Sequence, residues 1–175
     1  MTVPLLRRHF LQRAGFAAVC ALPHLSHAAL PWPHRPVRLI VVYPPGGVSD
    51  GMARALAEPL AQSLGVPVLI EHRAGAGGSL GMDALARATP DGHTLAFSAI
   101  SPLTLHPLLA RAPYDPLRAF VPVASVMRTP VLVVGTPAFA GRGFAEVIAL
   151  ARRQPGAVRW ATSGPATIGD MVLAQ

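Results

Sequence analysis

The sequence predicts an α/β fold with a mainly parallel sheet. Strand-like and helix-like segments alternate from residue 37 onward. The first strand, residues 37–43, is an almost continuous apolar run, which is typical of a strand buried on both faces of a parallel sheet. Because alternating strands and helices form βαβ units, we expect consecutive strands to be parallel.

The first helix is predicted from a repeat on one face, at Met52, Leu56, Leu60 and Leu64. Gly65 is a suitable residue to end it, and Pro59 is expected to kink it. A second strand is predicted at 66–71. A second helix is predicted at 79–88, where Asp83 and Arg87 stand four residues apart as a favourable ion pair.

The remaining elements follow the same alternation. A turn at residues 90–92 precedes a third strand at 94–100 and a short helix at 102–110. Further strands are predicted at 121–126, 131–134 and 158–162, with a helix at 144–153 between them and another from residue 167. No repeat or low-complexity segment interrupts this order.

The first 28 residues are predicted to be an export signal. Arg7 and Arg8 precede a short apolar stretch, and Ser26, His27 and Ala28 provide a small-residue cleavage site. The arginine pair resembles the twin-arginine signal, although Leu6 replaces the usual polar residue before it. An amphipathic N-terminal helix is the alternative. Cleavage near Ala28 predicts a periplasmic location and removes Cys20, the single cysteine, which leaves no disulfide or thiol chemistry.

The charge pattern argues against nucleic-acid binding. The chain has fifteen arginines, no lysine and a net charge of +7. Without the three arginines of residues 1–28, twelve basic and eight acidic residues leave +4. The basic residues are scattered singly, whereas a nucleic-acid surface needs clustered charge.

The first strand ends in the sequence YPPGGVSDG, which predicts an anion-binding junction. Gly46 and Gly47 allow backbone N–H groups to turn toward one point, since no Cβ intervenes. Ser49 or Asp50 is expected to cap the helix, whose N-terminus favours negative charge. A plain strand–helix turn is the alternative. The stretch GVSDG also matches the nucleophile elbow of hydrolases, but Ser49 stands too far beyond the strand for that role.

Two further junctions combine small residues with a predicted helix start. The stretch RAGAGGSLG resembles a dinucleotide fingerprint, yet Leu80 occupies its third glycine position and the following strand ends without an acid. The stretch ATSGPAT precedes the last helix. Three such junctions with almost no charged side chains indicate reversible binding of a small carboxylated molecule rather than catalysis. No histidine cluster has the spacing of metal ligands.

Taken in order, these junctions resemble the tripartite tricarboxylate transporter receptor family, the Bug-type periplasmic solute-binding proteins. The matching stretches include YPPGGVSDG, EHRAGAGGSLG, PDGHTL, PYDPLRAF and the last junction, and they cover residues 35–175. His72 stands where the family usually has Asn. The resemblance implies no catalytic residue, no cofactor and no metal, and it implies membrane permease subunits as partners.

The resemblance also implies a fold like the type II periplasmic binding proteins. Residues 29–128 would form the first lobe and residues 129–175 the start of a second, incomplete lobe. The ligand would be a di- or tricarboxylate or a related acid held in the cleft. The residues matching the family's cleft are Pro45, Gly46, Gly47, Ser49, Asp50, Gly77, Gly78, Ser79, Ser98, Ser101, Ser163, Gly164 and Thr167. Family members continue well beyond this length, so a truncated remnant that no longer binds is the alternative.

Overall fold

A computed structural model describes residues 31–109 and 112–173. The predicted export signal lies outside the described residues. A compact unit begins at Pro33. None of the helices within the described ranges has the length and apolar character that a membrane crossing requires.

The core is a three-stranded parallel sheet. Its strands are β1 (Val37–Val41), β2 (Val68–His72) and β3 (Thr94–Phe97), in the order β2–β1–β3. In register, Val37 pairs with Val68, and Arg38 pairs with Leu69 on one side and Thr94 on the other. The predicted parallel α/β arrangement is therefore confirmed for the first three strands.

The connecting helices cover both faces of this sheet. Helix α1 (Val48–Leu64) joins β1 to β2, and helix α2 (Ser79–Ala86) joins β2 to β3. Because β2 and β3 lie on opposite sides of β1, right-handed crossovers place the two helices on opposite faces. Alternate residues of the central strand, with Val42 directly after it, accordingly belong to two separate cores. Leu39 and Val41 pack with Ala53 of α1, while Ile40 and Val42 pack with Met82 of α2.

Helix α1 ends as the sequence predicts and is unbroken along its length. Gly65 adopts the left-handed conformation at φ 70° and donates its N–H to the Ala61 carbonyl at 2.9 Å. The helix continues through Pro59 as one element. On α2, Arg87 Nε lies 3.0 Å from both carboxylate oxygens of Asp83, which confirms the predicted pair.

Short helices complete the described chain. Helices α3 (Ser101–Thr104) and α4 (His106–Leu109) replace the single helix predicted at 102–110. A 3-10 turn at Pro137–Phe139 precedes α5 (Phe144–Arg153), and α6 (Ile168–Leu173) is the last helix.

The strands predicted at 121–126, 131–134 and 158–162 were wrong. These residues have no regular structure, and none pairs with a strand in the part of the chain that is described. Val121 and Val134 are 87% and 82% exposed. High β-propensity does not make a strand by itself, because the backbone donors and acceptors of a strand need a partner strand.

Candidate functional site

The first junction, between β1 and α1, is a glycine turn held by a carboxylate of the following helix. Gly46 has φ +84°, a conformation that suits glycine. Asp50 Oδ2 accepts the Gly46 N–H at 2.8 Å. Gly47 is the N-cap and no side chain bonds to the helix end, so the predicted capping by Ser49 or Asp50 was wrong. Instead, the side chain of Asp50, the third helical residue, accepts the N–H of Gly46, the residue before the N-cap.

Asp50 is buried beneath this turn and is held from two further directions. Its Oδ1 lies 2.9 Å from Arg54 Nε, one turn along α1, and 2.9 Å from His72 Nε2 at the end of β2. The Gly46 N–H, followed by His72 and Arg54, lowers the pKa of the Asp50 carboxyl, while burial acts in the opposite direction. Asp50 is therefore a carboxylate at neutral pH.

The first helical N–H groups of α1 lie at the same turn. The first residues of any helix lack intrahelical acceptors. Gly47 and Val48 are exposed, and no side chain within the described residues caps them. With the positive end of the helix dipole, these donors favour an anionic group outside the turn.

The second junction, between β2 and α2, is a tighter glycine turn. A 3-10 turn spans Ala76–Gly78, and Gly77 and Gly78 have φ 64° and 101°. A Cβ at Gly78 would lie 3.1 Å from both Val42 and Pro102 side-chain atoms. This turn therefore depends on glycine for its conformation and for its close packing.

The third junction lies before α6 and repeats the arrangement of the first. Ala166 has φ +55°, and Asp170 Oδ2 accepts its N–H at 2.9 Å. Asp170 is the third residue of α6, as Asp50 is of α1. Thr167, which is 2% exposed, donates its hydroxyl to the Gly164 carbonyl at 2.7 Å.

The second and third junctions meet. A Cβ placed on Gly77 would lie 3.0 Å from the Pro165 carbonyl oxygen. The Ile168 N–H donates to Ser101 Oγ at 3.4 Å, across 67 residues of sequence. Tyr43 OH donates to the Gly77 carbonyl at 3.5 Å and connects this region to the end of the first strand. Burial raises the Tyr43 pKa, and a hydrogen bond with Ser101 opposes that shift.

The structure therefore brings together some of the predicted site residues. Gly77, Ser101 and Thr167 lie at the meeting point of the two junctions, and Gly78 packs against Pro102 beside it. Residues of the first junction lie two or more positions beyond Tyr43 in the same connection. Pro45, Gly46 and Gly47 are exposed there, and Ser49 is half-buried.

Other predicted residues use their side chains elsewhere. Ser79 is buried, and its hydroxyl donates to the Tyr114 hydroxyl oxygen at 3.3 Å on the core side, since the Tyr114 proton is given to the Pro102 carbonyl. Ser98 donates to the neighbouring Ala99 carbonyl at 2.9 Å. Ser163 is exposed, and Gly164 is held by Thr162, whose hydroxyl accepts the Gly164 N–H at 3.2 Å.

Sequence reasoning did not identify Tyr43 or the role of His72. Tyr43 ends the predicted first strand, at the carboxyl edge where ligands approach parallel sheets, and this position was the available signal. His72 ends β2 at the same edge, but its contact with Asp50 joins residues 22 positions apart. Its partner could not be chosen from spacing alone.

A separate groove lies beside β2 and α2. Its lining consists of Glu71, His72, Arg73, Ala74, Leu80, Asp83, Ala84 and Arg87. None of the predicted ligand-binding residues lines it. Its charges are paired locally, since Arg73 contacts Glu71 and Arg87 contacts Asp83. Among the described residues, no group of three histidine, cysteine or acidic side chains is placed to hold a metal ion.

Solved periplasmic binding proteins have a similar α/β fold with a parallel sheet. The structure is similar to MatC from Rhodopseudomonas palustris with bound malate, with a TM-score of 0.65 and 33% identity over 69% of this chain and 42% of that chain. It is also similar to a second R. palustris protein with adipate, with a TM-score of 0.71 and 29% identity over 78% of this chain and 46% of that chain.

The family model described as "Tripartite tricarboxylate transporter family receptor" matches residues 52–174, and the chain belongs to this family. Protein BugT of Bordetella pertussis is 40% identical over 87% of this chain and 45% of its own length. A UPF0065 protein of Agrobacterium vitis is 33% identical over 86% of this chain and 43% of its own length. The chain thus spans about half the length of the curated relatives it matches. The resemblance drawn from the sequence is confirmed, and these relatives are solute-binding proteins and not enzymes.

Proposed function

We propose that the chain is a periplasmic solute-binding receptor that captures a small carboxylate for a tripartite tricarboxylate-type transporter. The ligand would be a di- or tricarboxylate or a related acid. Family membership and the two similar structures, which carry malate and adipate, support this ligand class. Permease subunits of such a transporter are the proposed partners. Delivery to the periplasm would use residues 1–28 as a signal, cleaved near Ala28.

The main observation behind the ligand class is the uncapped start of α1 at an exposed glycine turn. Backbone N–H groups bind carboxylates without a charged side chain of their own, and the helix dipole adds to the attraction. The proposed ligand contacts at this junction are Pro45, Gly46, Gly47 and Ser49, with Asp50 beneath them. At the other junctions they are Gly77, Gly78, Ser79, Ser98, Ser101, Ser163, Gly164 and Thr167.

Calorimetry with paired ligands tests this function. Malate, adipate, succinate and citrate are titrated into the purified chain, with malamide and adipamide as neutral counterparts of the same shape. We expect at least one acid to bind and to raise the melting temperature, since ligand binding to the native state stabilises it, while the amides do not bind. If no acid binds, the alternative of a non-binding remnant is supported.

A matched pair of glycine variants locates the site. Gly47→Ala places a methyl group beside the free N–H groups of the turn, and we expect about a tenfold loss of affinity, equivalent to about 1.4 kcal/mol. Gly51→Ala is the control: it lies on the same helix, and a Cβ there meets nothing within 4 Å. Equal effects of both substitutions would place the ligand elsewhere.

A further inference from the structure

Asp50 faces inward, toward the turn that precedes its own helix. Its side chain is 8% exposed. Oδ2 is used by the Gly46 N–H, and Oδ1 is used by Arg54 and His72. With both oxygens engaged inside the protein, the carboxylate is placed to hold the turn rather than to meet a ligand.

The third junction shows the same bond without the same support. Asp170 accepts the Ala166 N–H four residues earlier, as Asp50 accepts that of Gly46. In both cases the donor residue has a positive φ. Within the described ranges, no arginine or histidine pairs with Asp170, whereas Asp50 has both. The histidine contact is thus a specific feature of the first junction and not a requirement of this type of turn.

We propose that Asp50 is the positioning residue of the Gly46–Gly47 turn, and that protonation of His72 tightens its hold on that turn. This inference rests on the proposed function where it concerns ligand affinity, because the turn carries the exposed residues Gly47 and Val48 at the start of α1. Its structural part, the coupling of His72 to Gly46 through Asp50, stands without any ligand.

The chemistry of the contact sets the direction of the effect. A carboxylate only accepts hydrogen bonds, so His72 Nε2 carries the shared proton in either charge state of the ring. Protonation at Nδ1 then adds an attraction between opposite charges to a hydrogen bond that is already present. The imidazole is the side chain that ordinarily changes charge between pH 5 and 8. The turn should therefore be held more firmly when the His72 ring is protonated than when it is neutral.

The surroundings of His72 contain charges of both signs. From α1 it faces Asp50 and Arg54. On its own strand, Glu71 and Arg73 flank it, and they contact each other. Across the groove, Asp83 and Arg87 are paired at 3.0 Å. Glu71 also contacts Arg38 at 3.4 Å, so these outer charges are paired with one another. Asp50, which contacts the ring itself, is the charge most directly coupled to it, together with Arg54 on the same carboxylate oxygen.

The structural part is tested by the amide signal of Gly46 in the ligand-free full chain. In 1H–15N NMR spectra collected from pH 5 to 8, we expect the Gly46 signal to follow a single titration in the wild type. His72→Gln keeps a donor that cannot be protonated, and Asp50→Asn removes the charge. Both should leave the Gly46 signal nearly constant with pH. Asp170→Asn should leave the wild-type titration unchanged, since it alters only the matching bond of the third junction.

Amide exchange gives a second measurement that separates anchoring from general stability. Relative to its intrinsic exchange rate, the Gly46 N–H should lose at least tenfold protection in Asp50→Ala. Asp83→Ala is the matched control because it removes the same kind of Asp–Arg pair, four residues apart, without touching a turn. Gly46 protection that is equal in the wild type and in Asp50→Ala would overturn the proposal.

Ligand affinity completes the test. With malate as the probe, we expect binding about two- to fivefold tighter at pH 6 than at pH 8 in the wild type, the range of a partly exposed ion pair. The ratio should fall to about one in His72→Gln. If malate does not bind but Gly46 still titrates through His72, the proposed function fails for this ligand while the anchor is supported. If Gly46 does not respond to His72→Gln, the anchor proposal is wrong whatever binds.

Discussion

Gly81 of α2 packs against Val42 so closely that a Cβ at Gly81 would lie 2.6 Å from Val42 Cγ1. The Cβ built on Gly81 would also lie 2.8 Å from the Arg73 carbonyl oxygen. Real Cβ atoms do not approach backbone this closely, so the helix and the sheet cannot both keep their positions with a larger residue there. Gly81 thus sets the distance between α2 and the central strand.

Gly81→Ala should therefore destabilise the fold by about 1–3 kcal/mol, the usual cost of overpacking. Denaturant unfolding followed by circular dichroism measures the change. Gly51→Ala is the matched helical control, and we expect it to be neutral or to stabilise by up to about 1 kcal/mol, because Ala is the better helix former in open space. A neutral result for Gly81→Ala would show that α2 can move away from β1 at little cost.

Ala166→Gly should stabilise the chain by about 1 kcal/mol. Ala166 is held at φ +55°, where a Cβ is unfavourable. Glycine removes that strain and keeps the N–H that Asp170 accepts. The midpoint of urea unfolding gives the difference. In Ala149→Gly, at an ordinary position within α5, the expected change is of opposite sign and about 1 kcal/mol. A loss of stability in both variants would contradict the strained conformation.

Tyr114→Phe should cost about 1–2 kcal/mol. The Tyr114 hydroxyl is buried and donates to the Pro102 carbonyl at 2.6 Å. Its removal leaves that carbonyl without this donor, while the ring keeps its edge-on contact with Phe120 at 5.2 Å. Tyr43→Phe is the comparison: its bond to Gly77 is 3.5 Å long, and we expect a smaller effect. The order of the two effects, measured by thermal unfolding, is the test.

The two tyrosines should also ionise at a higher pH than a free phenol. The chain has two tyrosines, and burial raises the pKa of both Tyr43 and Tyr114 above 10.0. Because the neutral phenol is favoured in the fold, this stabilisation is complete below pH 10 and is lost as the pH rises through the raised pKa values. Absorbance at 295 nm follows the ionisation. A single step at the pKa of a free phenol, with the fold intact, would contradict the burial of both rings.

Asp91 should contribute to acid sensitivity. The His93 N–H at 3.0 Å and Arg35 at 2.7 Å lower the pKa of Asp91 from 3.8 to about 2. A lowered carboxyl pKa stabilises the fold above pH 3.8, and that contribution is lost as the pH falls toward 2. The free energy of unfolding of Asp91→Asn should therefore lie below that of the wild type at pH 6. The two proteins should converge near pH 2, and a constant difference between pH 6 and 2 would exclude this origin.

The first half of the fold could be predicted from the sequence, because its signals are local. The apolar run before Pro44, the four-residue repeat of α1 and the end at Gly65 each specify one element without help from distant residues. The same reasoning failed in the C-terminal part, where it predicted strands that the described residues do not form. Valines at 121–134 favour a strand, but only a pairing partner decides whether one forms, and that partner is a long-range property.

The site was predictable to a similar extent. Glycines after strands marked the junctions, since they allow positive φ and close approach. Asp50 contacts His72, which lies on another element. The contact of Gly77 with the Pro165 carbonyl joins residues 88 positions apart in this numbering. Neither contact leaves a periodic or compositional signal in the sequence.

The placement of β1 between its two neighbours has a consequence for synthesis on the ribosome. Every strand of the sheet lies between Val37 and Phe97. Among the residues that the structure describes, the buried members of the two core clusters end at Tyr114, and flanking residues such as Met127 pack against them from further along the chain. The nascent chain can therefore complete its central layer while the last third is still being translated. On stalled ribosomes, nascent chains whose residue 120 has emerged from the exit tunnel should already resist protease across the sheet.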